Sequence, residues 1–178
     1  MTWFESILLY SCFVLSLGCL LFSLLNNEPR KTRFWGLLCA GFLFLTLDER
    51  FALHERVRDA ILSPRNIKLP IFFWTSAGDF ILLLFAAAGI LLLPRMIGLF
   101  SGRKSAKICF LTGVLFSAIA VILDSFNVEG FSIHIQRIEQ FVEEILETTG
   151  MVFFLNALLL VFMDYLARLY TKATCRID

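Results

Sequence analysis

The sequence predicts an all-α membrane protein, a polytopic bundle of about five transmembrane helices. Of its 178 residues, 58% are hydrophobic and only 17% are charged, whereas a soluble domain has about 25% charged residues. The mean hydropathy is +0.79, and several apolar runs approach the length of about 20 residues that crosses a bilayer as a helix. The net charge of +1 and the lack of a basic stripe argue against a nucleic-acid partner.

The first two helices are bounded by turn residues. The first ends before the Asn-Asn-Glu-Pro sequence at 26–29, which favours a turn. The second outlasts its apolar part, because residues 48–59 still have helical composition and contain no helix breaker. It stops at Ser63 and Pro64. We therefore expect the second helix to extend beyond the membrane.

The other three helices follow from proline positions and hydropathy. Pro70 precedes the third helix and Pro94 ends it, while residues 127–130 form a turn between the fourth and the fifth. The fifth has a polar first third, so it also extends beyond the membrane. The whole chain, 1–178, is predicted to be a single domain with helices at about 3–25, 34–60, 71–93, 106–124 and 132–170.

Lys and Arg residues in the loops predict the orientation. The first and third connections and the carboxy-terminal tail are basic, whereas the amino terminus and the fourth connection carry no basic residue. By the positive-inside rule the amino terminus lies outside and the carboxy terminus in the cytoplasm. The second connection disagrees, but its basic residues are interleaved with Glu55 and Asp59.

Acidic residues recur at one end of the predicted helices. At a rise of about 1.5 Å per residue, Asp48, Asp79, Asp124 and Glu147 lie roughly 21–25 Å above the inner ends of four different helices. The hydrocarbon core is about 30 Å thick, so all four fall in its outer third. Ionisable groups at that depth are costly unless they are paired, metal-bound or wetted. This layer is the predicted functional site.

The fifth helix carries a stripe of carboxylates without a basic residue on its own face. Glu139, Glu143 and Glu147 follow i, i+4, i+8, a spacing at which like charges repel. The neighbouring Glu144 is within reach of Arg137. The stripe needs a metal ion, protons, water or basic partners from another helix, for which the candidates are Arg50 and Arg56.

One interpretation of this layer is a cation site. Divalent ions take carboxylate oxygens, and histidine adds affinity for transition metals. The sequence lacks the two Glu-x-x-His motifs of a di-iron site, because neither His54 nor His134 has a Glu three residues earlier. The candidate ligands of a divalent metal ion are Asp48, Glu49, His54, Glu55, Glu143, Glu144 and Glu147.

A second interpretation is proton binding or ion passage, since crowded carboxylates share protons. The inner two-thirds of every helix lacks ionisable groups, so a continuous polar path would require an oligomeric pore. The residues assigned to a proton or ion response are Asp79, Asp124, His134 and Glu139.

Two further alternatives stay open. In a membrane-embedded enzyme, Glu143 or Glu147 would act as a general base and His54 as an acid or ligand, although G-x-S-x-G and HExxH motifs are absent from the sequence. In a structural or sensor subunit of a membrane complex, Arg50 and Arg56 would neutralise the carboxylates.

Two motifs carry a family resemblance. Leu47-Asp48-Glu49-x4-His54-Glu55 and Glu143-Glu144-x-Leu146-Glu147-x-x-Gly150 resemble a recurrent type of small, uncharacterised multi-pass bacterial membrane protein. The resemblance implies the architecture and a bacterial inner (plasma) membrane, but no activity. The sequence thus predicts a membrane protein that binds a cation or responds to protons near the outer leaflet, as a homo-oligomer or a complex subunit.

Overall fold

The computed structural model describes residues 2–67, 69–72, 78, 80–126 and 131–174. Within these ranges all regular structure is helical, as predicted. The α-helices are α1 (Thr2–Leu25), α2 (Pro29–Phe51), α3 (Leu53–Val57), α4 (Phe80–Met96), α5 (Lys104–Asp124) and α6 (Ile133–Thr174), joined in part by a π-helical turn (Arg58–Leu62) and 3₁₀ turns (Pro70–Phe72 and Ile97–Phe100).

The core lies along α1, which packs between α2 and α6, while α5 packs on the far side of α6. The side chains of Cys12 and Cys19 on α1, Trp35 on α2 and Leu158 on α6 are fully buried there. Helix α4 is more peripheral, and its Phe85 ring stacks on Phe44 of α2 with centroids 4.6 Å apart. The acidic ends of α1, α2, α5 and α6 therefore come together.

Among the described residues, four helical segments are long and apolar enough to cross a membrane, namely Trp3–Leu25, Phe80–Phe100, Lys104–Asp124 and Ile133–Thr171. This confirms an apolar, all-helical protein compatible with several membrane passes. The predicted count of about five helices is not exact, because the described residues form six α-helices. Helix α2 is not among the four, since its uncharged part is limited to residues 34–47, shorter than the roughly 20 residues a span requires.

The predicted continuous second helix is wrong at Ala52. This residue adopts a left-handed conformation, with φ 47° and ψ 50°, and separates α2 from α3. The Asp48 side chain explains the break: Oδ1 accepts a hydrogen bond of 2.8 Å from the backbone N–H of His54, and Oδ2 lies 2.6 Å from His54 Nδ1. These bonds offset the cost of roughly 1–2 kcal/mol for a non-glycine left-handed residue.

Replacing Ala52 with glycine tests this break. Glycine in the interior of a helix costs about 1 kcal/mol relative to alanine, but glycine occupies the left-handed region without steric cost. We expect Ala52→Gly to leave the free energy of unfolding unchanged or to raise it by up to about 1 kcal/mol. The matched control is Ala40→Gly on the exposed surface of α2, which should lower it by about 1 kcal/mol. An equal loss in the free energy of unfolding for both variants would mean that the helix is unbroken at Ala52.

The remaining boundaries agree with the prediction to within a few residues, with one correction. Pro94 does not end the third predicted helix, because α4 continues through it to Met96 and then tightens into the 3₁₀ turn. The start predicted at 71 falls largely on residues outside the described ranges. Helix α6, with 42 residues, is about 63 Å long. It therefore exceeds the thickness of a bilayer core.

Helices α5 and α6 approach each other at a pair of glycines. A Cβ atom at Gly150 would lie 2.7 Å from Ser117 Oγ and 3.2 Å from the Gly113 carbonyl oxygen. A Cβ atom at Gly113 would lie 2.8 Å from the Phe154 ring. Close packing at small residues is the usual way membrane helices associate. Gly150, the last residue of the second sequence motif, thus sets the distance between the two helices.

The other end of the bundle is tied by an ion-pair network. The Arg103 Nε donates a hydrogen bond of 2.8 Å to Asp164 Oδ2, and Arg168 Nε lies 3.1 Å from the same oxygen. The Arg103 guanidinium also sits over the Tyr165 ring, 5.2 Å from its centroid. The start of α5 is thereby fixed to the last third of α6.

Candidate functional site

The acidic end is the end of the bundle at which α1 and α6 begin and α2 and α5 finish. The helices place a set of acidic side chains there that we name the carboxylate cluster: Glu5, Asp48, Glu49, Asp124, Glu139, Glu143, Glu144 and Glu147.

Asp48 and His54 form the best-defined pair of the site. The Asp48 side chain is buried, with 6% of its surface exposed. Because an ionised carboxylate only accepts hydrogen bonds, the imidazole donates its Nδ1–H to Asp48. This bond fixes the tautomer and leaves Nε2 for other partners. The break at Ala52 therefore places an imidazole next to the cluster.

A small cavity lies beside His54. It has a volume of about 60 Å³ and is lined by His54, Arg58, Gly78, Ile81, Leu82 and Asp124. That volume is enough for a few water molecules, and the lining offers polar partners to hold them. The cavity thus connects the imidazole with the carboxylate that ends α5.

Glu5 on the first turn of α1 is the most buried acid of the cluster, with 3% of its surface exposed. The Thr148 hydroxyl donates a hydrogen bond of 2.8 Å to Glu5 Oε1. The negative charges of Glu5 and Asp48 act on the Glu49 carboxyl group. Carboxylates this crowded repel one another, which favours a proton on one of them.

The α6 stripe faces acids from other helices as well as its own. Glu143 interacts electrostatically with Asp124 of α5 and with Glu147, and Glu139 interacts with Asp124. Glu147 interacts with Glu49 of α2 and with Glu5 of α1. Four helices therefore contribute to one continuous region of negative potential.

The predicted basic partners make other contacts or are exposed. The Arg50 guanidinium lies over the Trp3 ring, 4.1 Å from its centroid. Arg56 and Arg137 are exposed. In the part of the chain that the structure describes, the ion pairs do not include Glu139, Glu143, Glu144 or Glu147. Among the described residues, the stripe therefore makes no ion pair with arginine.

Most of the predicted site residues come together, and the structure adds two. Asp48, Glu49, His54, Asp124 and the four α6 glutamates meet at the acidic end. Glu55 and His134 are exposed, and Asp79 lies outside the described residues. Glu5 and Thr148 are the additions. The signal for Glu5 was its position on the first turn of an apolar helix that starts at the acidic end.

The metal site remains a prediction. Among the described residues, no three His, Cys, Asp or Glu side chains are arranged to hold a common ion. The Asp48 carboxylate already binds the His54 side chain and backbone, and Glu5 accepts a hydrogen bond from Thr148. These contacts use oxygens that a metal ion would need.

Comparison with known proteins identifies a family. A family model described as Domain of unknown function (DUF8692) matches residues 1–162, which include α1 to α5 and the larger part of α6. No curated protein and no solved structure matches the chain. The function must therefore be argued from the chemistry of the site itself.

Proposed function

The chain belongs to the DUF8692 family of unknown function, and from its carboxylate cluster we propose that it is a proton-responsive integral membrane protein. The observation that carries the proposal is the meeting of acids from three helices, where Glu49 and Glu147 interact with each other and with Glu5, which is almost fully buried. We propose that Glu5 and Glu49 share one proton, because crowded carboxyl groups at low dielectric cannot all stay ionised. The pair therefore responds to the pH of the compartment it faces.

The surroundings favour proton uptake over full ionisation. Glu147 and Glu49 each face several other carboxylates, and adding a proton relieves that repulsion. The Asp48–His54 pair and the adjoining cavity place a hydrogen-bonded imidazole beside these acids. We propose that protonation draws the ends of α1, α2 and α6 together and that deprotonation separates them.

Proton binding from one side fits the chain better than passage through it. The sequence has no Asp, Glu, Lys, Arg or His at 6–27, 34–47, 80–94, 108–123 or 148–163, which are the apolar parts of the long helices beyond the cluster. A proton relay across the bilayer would need such groups. We therefore assign the cluster to sensing, with the acidic end facing outward from the bacterial inner membrane.

Labelling from each side of the membrane tests this orientation. The proposed topology is wrong if a cysteine placed at Asn127 is labelled only from the cytoplasmic side.

We also propose that the sensor works as a homo-oligomer or as a subunit of a membrane complex. Helix α4 supports this association, since only 11% of its apolar segment is buried against the rest of the chain. A conformational change at the acidic end must be passed to a partner chain. Helix α4 is placed to do this, because its Ile81 and Leu82 line the small cavity beside His54.

The pH dependence of stability tests the proposal. If the folded protein holds the shared proton more tightly than the unfolded chain, this contribution is present at acidic pH and is lost as the pH rises. We expect the free energy of unfolding in detergent to fall from mildly acidic to mildly alkaline pH. Glu5→Gln, which mimics the protonated acid and keeps an acceptor for Thr148, should flatten that slope.

Glu55→Gln is the matched control, because Glu55 is an exposed glutamate at the same end, and it should keep the wild-type slope. Elemental analysis of the same purified protein separates protons from metal. A stoichiometric divalent metal that is lost in the Glu143→Ala/Glu147→Ala variant would replace the proton proposal with the metal site. A pH slope that is equal in wild type and in Glu5→Gln would also contradict the proposal.

A further inference from the structure

A larger cavity lies at the opposite end of the bundle, between the end of α1 and the last turns of α6. Its volume is about 550 Å³, and its polar lining consists of Asn26, Glu28, Tyr165, Arg168 and Thr171. This volume is within the range of about 300–1,000 Å³ that is typical of small-molecule sites. The cavity is independent of the carboxylate cluster.

Two residues of this lining carry buried polar atoms that have no partner among the described residues. These atoms are the hydroxyl oxygen of Tyr165 and Oε2 of Glu28. Tyr165 is 95% buried, with 5% of its surface exposed. Leaving such groups without a hydrogen bond destabilises the folded protein. A bound molecule that pairs with both would recover this free energy.

The lining supplies both signs of charge. Lys31 Nζ lies 2.8 Å from Glu28 Oε1, so the other carboxylate oxygen of Glu28 is left to accept a hydrogen bond from a second cation. Arg168 uses Nε to contact Asp164, while the terminal nitrogens of its guanidinium fork are suited to phosphate. A ligand that carries an ammonium and a phosphate at a short separation matches this arrangement.

The position of the cavity indicates that such a ligand comes from the membrane. The apolar span of α1 ends at Leu25, and Asn26 and Glu28 follow directly. Tyrosine and basic residues at the end of a span lie at the level of the lipid head groups. We propose that this cavity binds the phosphoethanolamine head group of a membrane phospholipid, with its ammonium on Glu28 and its phosphate on Arg168 and the Tyr165 hydroxyl.

The test uses the delipidated full-length protein in detergent. Melting temperatures are measured with phosphatidylethanolamine, with phosphatidylglycerol of the same acyl chains, and with soluble phosphoethanolamine. We expect phosphatidylethanolamine to raise the melting temperature by roughly 3 °C or more above phosphatidylglycerol. An equal rise with soluble phosphoethanolamine would support the same head-group chemistry and assign it to a free metabolite.

Variants separate binding from a structural role. Tyr165→Phe removes an unpartnered hydroxyl, so it should leave the lipid-free melting temperature unchanged or raise it, while the response to phosphatidylethanolamine is lost. Tyr170→Phe, an exposed tyrosine on the same helix, should keep the full response. Glu28→Gln should abolish the preference over phosphatidylglycerol. The inference is overturned if wild type shows no preference between the two lipids, or if Tyr165→Phe and Glu28→Gln both respond like wild type.

Discussion

Gly150→Leu is expected to lower the free energy of unfolding by about 3 kcal/mol or more, because it forces α5 away from α6. A Cβ atom at this position already meets the Ser117 hydroxyl at 2.7 Å and backbone atoms at 3.2 and 3.3 Å, and the rest of a leucine side chain has no space there. Backbone atoms cannot rotate away as a side chain can. The measurement is chemical or thermal unfolding in detergent.

The control is the same substitution at Gly89, where a Cβ atom meets nothing within 4 Å. Gly89→Leu should be neutral or stabilising by up to about 1 kcal/mol, since leucine has the higher helix propensity. If the two variants lose similar stability, the close approach of α5 and α6 at the glycine pair is incorrect.

Asp48→Ala is the second substitution with a large expected effect, a loss of about 2–4 kcal/mol in the free energy of unfolding. It removes the acceptor of the His54 backbone N–H and of the imidazole, and hydrogen bonds to charged groups contribute about 1.5–3 kcal/mol each. Without them the left-handed Ala52 has no compensation. We expect the break between α2 and α3 to be lost as well.

Asp59→Ala serves as the comparison. Asp59 also pairs with a basic residue, Arg58 at 2.8 Å, but its side chain is 65% exposed, so its loss should cost less than about 1 kcal/mol. Asp48→Asn should fall between the two, because the amide oxygen can still accept from the His54 backbone. An Asp48→Ala variant as stable as Asp59→Ala would show that the pair does not hold the break.

The layer of acidic residues could be predicted because it depends on length and hydropathy alone. For Asp48, Asp124 and Glu147, the number of residues to the opposite end of the same apolar run gives the height of the side chain in the membrane. Antiparallel helices with short connections then bring those ends together. The same arithmetic applies to the α6 stripe, whose members share a face by spacing.

The break at Ala52 and the role of Glu5 could not be predicted in this way. Residues 48–59 have helical composition, and the bond from His54 to Asp48 spans six positions, which matches no regular helical spacing. Glu5 meets Thr148 across 143 positions, a contact set by how α1 packs on α6. Periodicity within one helix carries no information about either.

The protonation of the Glu5–Glu49 pair tests the central proposal most directly. Infrared spectroscopy of the purified protein at neutral pH resolves the carbonyl stretch of protonated carboxylic acids from that of carboxylates. We predict a protonated-acid band in wild type and in Glu55→Gln that is reduced in Glu5→Gln and in Glu49→Gln. A wild-type spectrum without such a band at neutral pH would contradict a shared proton and, with it, the proposed sensor.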